Sequence, residues 1–233
     1  MLVKFGGVAV DGRGSIAGNT FSKNRYGNYV RARTTPVNPK SDRQSAIRAI
    51  VANVSSRWSS VLTVAQRAAW SVFAAAIPAK NKLGEVIYLS GYNQFCKSNI
   101  AAVNAGNAII IAAPTVLELP GEDTSFAATV DSGTGLISIA FDDARDWLDE
   151  VGASLIVEMG LPKAAGVNFF GGPWRSAGAI AGNDTTPPTS PDTSLTAPFT
   201  TGVGQKVWVR AKIQRADGRL SDWFRNSTIV GAA

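Results

Sequence analysis

The hydrophobic rhythm of this chain changes near Pro114, and that change limits the folds open to it more than any other feature. Ahead of Pro114, over residues 41–105, apolar residues recur every three or four positions, the period of a helix with one buried face. Behind it they alternate in twos, the period of a half-buried strand. The change of period points to an α+β or multidomain chain. At 233 residues the chain is long enough for one ample domain or two small ones. Two are expected: residues 1–112 as a Gly/Arg-rich β-hairpin plus three helices, and residues 113–233 as a β-sandwich.

The helices follow from caps and stripes. Ser41-Asp42-Arg43-Gln44 reads as a capping box, in which the serine accepts from the first turn and the glutamine reaches back. Ile47, Ile50, Val51, Val54, Trp58 and Val61 then make one apolar stripe. Thr63-Val64-Ala65-Gln66 repeats the cap and opens a helix carrying Trp70, Phe73, Ala74 and Ile77, which Pro78 ends. A third helix, near 90–105, aligns Tyr92, Phe95, Cys96, Asn99 and Val103, with Gly106 as terminator.

Upstream, Asp11-Gly12 predicts a hairpin-type turn, and Gly6, Gly7, Gly14 and Gly18 read as turn and close-approach residues. Their spacing is not that of a phosphate-binding loop. From Tyr29 onward, Tyr29, Arg31 and Arg33 alternate with Val30 and Ala32, so the arginines share one strand face. Pro36 and Pro39 stiffen the exit.

Beyond Pro114, strand-length runs occupy 126–130, 135–141, 153–159 and 207–214, with Leu220 to Phe224 and 227–230 closing the sheet. In 207–214, Val207, Val209, Ala211 and Ile213 face one way, while Trp208, Arg210, Lys212 and Gln214 face the other. Pro187, Pro188, Pro191 and Pro198 predict a long exposed loop over 185–198.

The formal charge of +6 is unevenly divided. Residues 1–60 hold ten Lys/Arg against Asp11 and Asp42, a balance of +8; residues 61–110 add +3. Residues 111–233 carry nine basic and fourteen acidic side chains, or −5. A basic front joined to an acidic back implies two regions with different neighbours. The chain has no histidine and one cysteine, Cys96. That excludes imidazole-based triads, His-ligated zinc, internal disulfides and cysteine-rich metal sites. No catalytic residue, cofactor or metal site is assigned. No stretch reaches the roughly 20 apolar residues that span a bilayer, and no signal-peptide pattern is read at the start, so a soluble chain with no membrane partner is expected.

Candidate partner-binding residues fall in two groups. Arg25, Tyr26, Tyr29, Arg31 and Arg33 lie in a basic cluster with Lys4, Arg13, Lys23, Lys40 and Arg43. Arginine interleaved with tyrosine suits an acidic protein surface. It also suits phosphates and bases, although no known nucleic-acid-binding signature accompanies it, and a solvated face stays open as the third reading. The second group is Phe169, Phe170 and Trp174, an aromatic run broken by Gly171-Gly172-Pro173, together with Trp208 on the polar face of its strand. These residues either dock a partner or fold over one end of the sandwich. Trp58 and Trp70 sit on helical stripes and read as core. Asp142, Asp143, Asp146, Asp149 and Glu150 attract attention as paired carboxylates or calcium ligands. Their spacing matches no EF-hand and no nucleophile arrangement goes with them, so they read as a solvated acidic loop.

Gly6-Gly7, Gly14, Gly18-Asn19-Thr20, Asn24-Arg25-Tyr26-Gly27, Tyr29-Val30-Arg31 and Pro36-Val37-Asn38-Pro39 occur in order, followed by Gln44, Arg48, Trp58, Gln66-Arg67, Trp70 and Ser90-Gly91-Tyr92-Asn93-Gln94-Phe95. Across about residues 5–105 this pattern resembles a group of phage and prophage proteins of undefined biochemical role. The resemblance implies a phage-type structural or accessory protein. Gly135 to Phe141, Val207 to Ile213 and Asp217-Gly218-Arg219-Leu220-Ser221-Asp222-Trp223 resemble an immunoglobulin-like or fibronectin type III-like sandwich. Joined to the charge split, these resemblances lead to an expected function: a non-enzymatic virion component for capsid decoration, neck or tail, assembled in the host cytoplasm. It would act in several copies by docking on phage structural proteins. The alternative is a nucleic-acid-associated phage accessory protein using the basic N-terminal region.

Overall fold

Local sequence accounts for where the helices start and stop. In the computed structural model, which describes residues 2–3, 12–24, 27–81 and 83–231, helix α1 (Asp42–Ser60) begins at Ser41, whose hydroxyl accepts from the Gln44 amide at 3.4 Å. Helix α2 (Val64–Ala76) carries a complete capping box: Thr63 Oγ1 accepts from Gln66 N at 3.2 Å, and Gln66 Oε1 accepts from Thr63 N at 2.9 Å. Helix α3 (Gly91–Asn104) ends through Gly106 at φ +89°, which lets Asn107 N reach back to Ala102 O at 2.9 Å. The apolar stripes meet in one cluster of Val54, Leu62, Trp70, Phe73, Ile77 and Phe95. Trp70 meets Phe95 edge-on at 5.4 Å and Phe73 at 6.0 Å. Burying each such side chain is worth about 1.5–3 kcal/mol. Gly91 permits the contact of α2 with α3, since a Cβ there would lie 2.8 Å from the backbone nitrogen of Ser71.

The front of the chain forms a four-stranded antiparallel sheet in the order β1-β4-β3-β2, larger than the hairpin expected. Its strands are β1 (Leu2–Val3), β2 (Gly14–Ile16), β3 (Asn19–Asn24) and β4 (Gly27–Ala32). The expected Asp11-Gly12 turn rests on Asp11, which lies outside the described residues. A short hairpin of β5 (Pro78–Lys80) and β6 (Val86–Tyr88) joins α2 to α3.

The rear of the chain is two antiparallel sheets packed face to face. One has the order β10-β9-β12-β13, from β9 (Ser154–Gly160), β10 (Trp174–Ala181), β12 (Lys206–Gln214) and β13 (Phe224–Ile229). The other has the order β11-β8-β7, from β7 (Ala127–Val130), β8 (Leu136–Ala140) and β11 (Asp192–Thr196). Alternation decides their shared core. Val207, Val209, Ala211 and Ile213 of β12 join Leu155, Val157 and Met159 of β9, and Ile137 and Ile139 of β8, all fully or almost fully buried. Trp147 and Leu148, inside the acidic segment 142–150, also enter this core. The chain is thus mixed α+β, with three helices and several antiparallel sheets among the described residues.

In the rear sheets the structure also differs from the sequence reading in three places. Residues 185–198 are not all loop, because 192–196 add to β8 as an edge strand and Leu195, opposite Ile137, is buried. Pro191 and Pro198 flank this strand and leave its five residues free to pair. Strand β10 was not anticipated: its run Trp-Arg-Ser-Ala-Gly-Ala-Ile-Ala is poor in β-branched residues, and its register slips between Ser176 and Gly178. The last strand starts at Phe224, while Leu220 makes only an isolated bridge to Gln214.

Residues 109–119 pack on the helices. Ile110 N donates to Asn99 Oδ1 at 2.6 Å, Asn99 Nδ2 donates to Ile110 O at 3.1 Å, and Trp70 Nε1 donates to Ile111 O at 3.0 Å. Ile109, Ile110, Ile111 and Leu119 lie against the helical cluster. The helices in turn cover part of the four-stranded sheet. Gln214 Nε2 donates to Ser98 O at 3.3 Å, Asn107 Nδ2 donates to Gly152 O at 2.9 Å, and Ala101 packs with Ile156 and Leu220.

Candidate partner-binding surfaces

The front sheet has two unlike faces. Cross-strand pairs Ser15–Thr20, Thr20–Arg31 and Ser22–Tyr29 put these residues on one side. Ile16, Phe21, Val30 and Ala32 occupy the other. Between Gly14 and Ala32 no described residue of this sheet is buried; Tyr29 is half-buried and Arg31 and Arg33 are exposed. Residues 31–46 are exposed throughout, and 33–41 have no regular structure. One contact fastens this stretch to α1, where Arg48 Nη2 donates to Asn38 Oδ1 at 2.9 Å. Arg25 and Tyr26 lie outside the described residues. What this region presents is a small sheet on an extended tether, with arginines along one face and one exit.

The second candidate group comes together on the outer face of the four-stranded sheet, and there it forms a ladder of rings and cations. Phe170 stacks on Trp208 at 5.2 Å with their planes 13° apart, and meets Trp174 edge-on at 5.0 Å. The Arg210 guanidinium lies between two tryptophans, 4.4 Å from the Trp174 ring and 4.2 Å from the Trp223 ring. Lys212 Nζ is 4.6 Å from Trp223, and Lys206 Nζ is 5.4 Å from Trp208. Arg210 also donates to Glu158 Oε2 through Nε at 2.8 Å and Nη2 at 2.5 Å. Each cation over a ring adds about 0.5–2 kcal/mol. Gly160 leaves room for this arrangement, because a Cβ there would run into the Phe170 ring.

The ladder changes which residues face solvent. Phe170 and Trp208 are buried at 5% and 6% exposure and cover each other, so they are withdrawn from any partner. Trp174 is half-buried, whereas Phe169 is 80% exposed and remains outside the stack. Sequence reasoning missed Arg210, Lys212, Glu158 and Trp223. The available signal was Trp208-x-Arg210-x-Lys212 on one strand face, but the strands that supply Trp174 and Glu158 are distant in sequence. Lys212 faces an adverse setting: burial pushes its ammonium down to about 8, Glu158 acts upward, and Lys97 and Arg210 act downward.

The acidic segment is an ordered structural loop. Asp142 Oδ1 accepts from Ala144 N at 3.0 Å, and Asp143 Oδ1 accepts from Ser190 N at 2.9 Å. Glu150 accepts from the Arg215 side chain and from Ala216 N. Asp146 lies 3.5 Å from Arg215 Nη1 and stays largely in solvent. Desolvation works upward on the Asp123 carboxyl. The Asp142 amide, the Ser125 hydroxyl and amide, and Arg145 outweigh it and hold the group below its ordinary value. A cleft of about 300 Å³ opens beside this loop, lined by Glu118, Arg145, Asp146, Trp147, Arg215 and Arg219. Its three guanidiniums are each already paired with a carboxylate. Among the described residues no group of three or more His, Cys, Asp or Glu side chains is placed to hold a metal ion. Cys96 is half-buried against the helical cluster, where burial raises its thiol. Among the described residues no helix is long and apolar enough to cross a membrane.

No protein-family model matches the chain, and no curated protein or solved structure is significantly similar to it.

Proposed function

We propose that this protein is a non-enzymatic phage virion component that docks, in several copies, on phage structural proteins of the capsid, neck or tail. One observation carries the reading: between Gly14 and Ala32 no described residue of the front sheet is buried, and an exposed, extended stretch joins the sheet to the helices. Small sheets in water need a second layer to be stable. A sheet that gains little from its own chain is suited to completing its packing on a neighbour. Arg31, Arg33, Lys40 and Arg43 give that neighbour an acidic character. The sequence resemblance over residues 5–105 supplies the phage context.

In this reading residues 1–112 form the docking domain and residues 113–233 an immunoglobulin-like or fibronectin type III-like sandwich that contacts neighbours or projects outward. Repetition in a particle lets individually modest contacts suffice. Mass spectrometry of purified virions is the test. Recovery of the chain in stoichiometric amount is expected, and its absence from particles refutes the structural role.

A second reading draws on one specific observation, that Tyr29 and Arg31 share a strand face and Arg33 follows at the exit. This pattern also fits a phosphate backbone with stacked bases. Titration of the full chain against DNA and RNA at two salt concentrations separates the readings. Tight binding that weakens steeply with salt favours the nucleic-acid role.

A further inference from the structure

We infer that the partner of the basic front sheet is the acidic loop end of a second copy of this chain, in a head-to-tail contact. The inference deepens the proposed docking role and rests on it. Charge is distributed between the two ends in the required sense. Residues 1–60 carry +8 and residues 111–233 carry −5. The ion pairs between described residues lie within 123–219, so they do not neutralise Arg31, Arg33, Lys40 or Arg43, all of which are exposed.

The acidic end is built by the fold. Asn183 N donates to Leu148 O at 2.7 Å, which sets the turn bearing Asp184 beside the loop bearing Asp146 and Asp149. Asp149 and Asp184 are exposed, and Asp146 keeps most of its carboxylate in solvent. The exposed carboxylates of Asp149 and Asp184 on one chain therefore match exposed cations on another.

Reach is adequate. The nine residues 33–41 have no regular structure, and fully extended they span up to about 30 Å. A contact between two different patches of the same chain is heterologous, so it does not satisfy itself in a closed pair. Repeating it generates a ring or a filament, the form a multicopy virion component needs.

The test is sedimentation velocity of the full chain at low and high salt, with two charge-reversed variants. One is Arg31→Glu with Arg33→Glu; the other is Asp149→Lys with Asp184→Lys. Wild type is expected to self-associate at low salt and to dissociate at high salt. Each variant should weaken association by about tenfold, the sum of a few exposed pairs. Mixing the two variants should restore it, because the reversed arm then meets the reversed loop. A wild-type chain that stays monomeric at low salt overturns the inference. So does association that survives either reversal, or a mixture that fails to recover. Circular dichroism of each variant confirms that it is folded. Particle mass spectrometry distinguishes the two failures. A monomeric chain still present in virions removes only the self-contact, whereas a self-associating chain absent from virions removes the virion role.

Discussion

Replacing Lys212 with methionine should make this protein more stable near neutral pH and remove a specific pH dependence. Lys212 lies on the outer face of β12, beneath Trp223 and facing Lys97 from α3. Desolvation pushes its ammonium from 10.5 down to about 8 in the folded chain, against the upward pull of Glu158. The unfolded chain leaves the group near its ordinary value. Between these two values the unfolded state holds a proton that the folded state has released, so stability rises with pH across that window. Below about 8 the folded state must keep the charge in a poorly solvated place, at a cost of up to about 3 kcal/mol. Residual solvent contact and the cation–π contact reduce the net gain expected from Lys212→Met to about 1–2 kcal/mol at pH 7, with the thioether still covering the Trp223 ring. The assay is urea denaturation of both proteins at intervals from pH 7 to 10.5. The informative quantity is the difference between their stabilities, because other titrating groups cancel in it. The advantage of the methionine variant should shrink steadily above pH 8. Parallel profiles over the whole range would refute the reasoning, as would a variant less stable than wild type at pH 7.

Other perturbations address other parts of the fold. Arg210→Ala removes the cation between Trp174 and Trp223 and leaves Glu158 half-buried without its partner; a loss of about 3–5 kcal/mol is expected in urea denaturation, with a red shift of tryptophan emission. Asn99→Ala deprives Ile110 N and O of the side chain that satisfies both, which should cost about 1–3 kcal/mol and speed hydrogen exchange at the Ile110 amide. Gly91→Ala forces a methyl group against the Ser71 backbone; a destabilisation of about 1–3 kcal/mol should appear in thermal melts followed at a helical wavelength, and an unchanged melt would show that α2 and α3 separate freely.

The division between what was legible in sequence and what was not follows the range of the interactions. Caps at Ser41 and Thr63 and the stop at Gly106 act within one turn of chain, so these helix limits were readable residue by residue. Alternation along 207–214 likewise assigned Val207, Val209, Ala211 and Ile213 to the core, because strand geometry alone decides which side chains share a face. It did not tell that Gln214, on the opposite face, is completely buried under α3. Edge strand β11 was obscured by the prolines around it, Pro188, Pro191 and Pro198, and β10 by its alanines and glycine, since sheet neighbours rather than intrinsic preference held them in place.

By itself the sequence determined the three helices, the inward faces of the most regular strands, and the separation of positive from negative charge. Each of these is a property of neighbouring residues or of a sum over residues. Tertiary structure decided which candidate aromatics remain available. Phe170 and Trp208, 38 positions apart, close on each other once β9 and β12 pair and Gly160 clears the space between them. It also left the basic front sheet without a buried side chain among the described residues from Gly14 to Ala32. Solvent exposure depends on how distant segments fill one volume, and no local pattern contains that information.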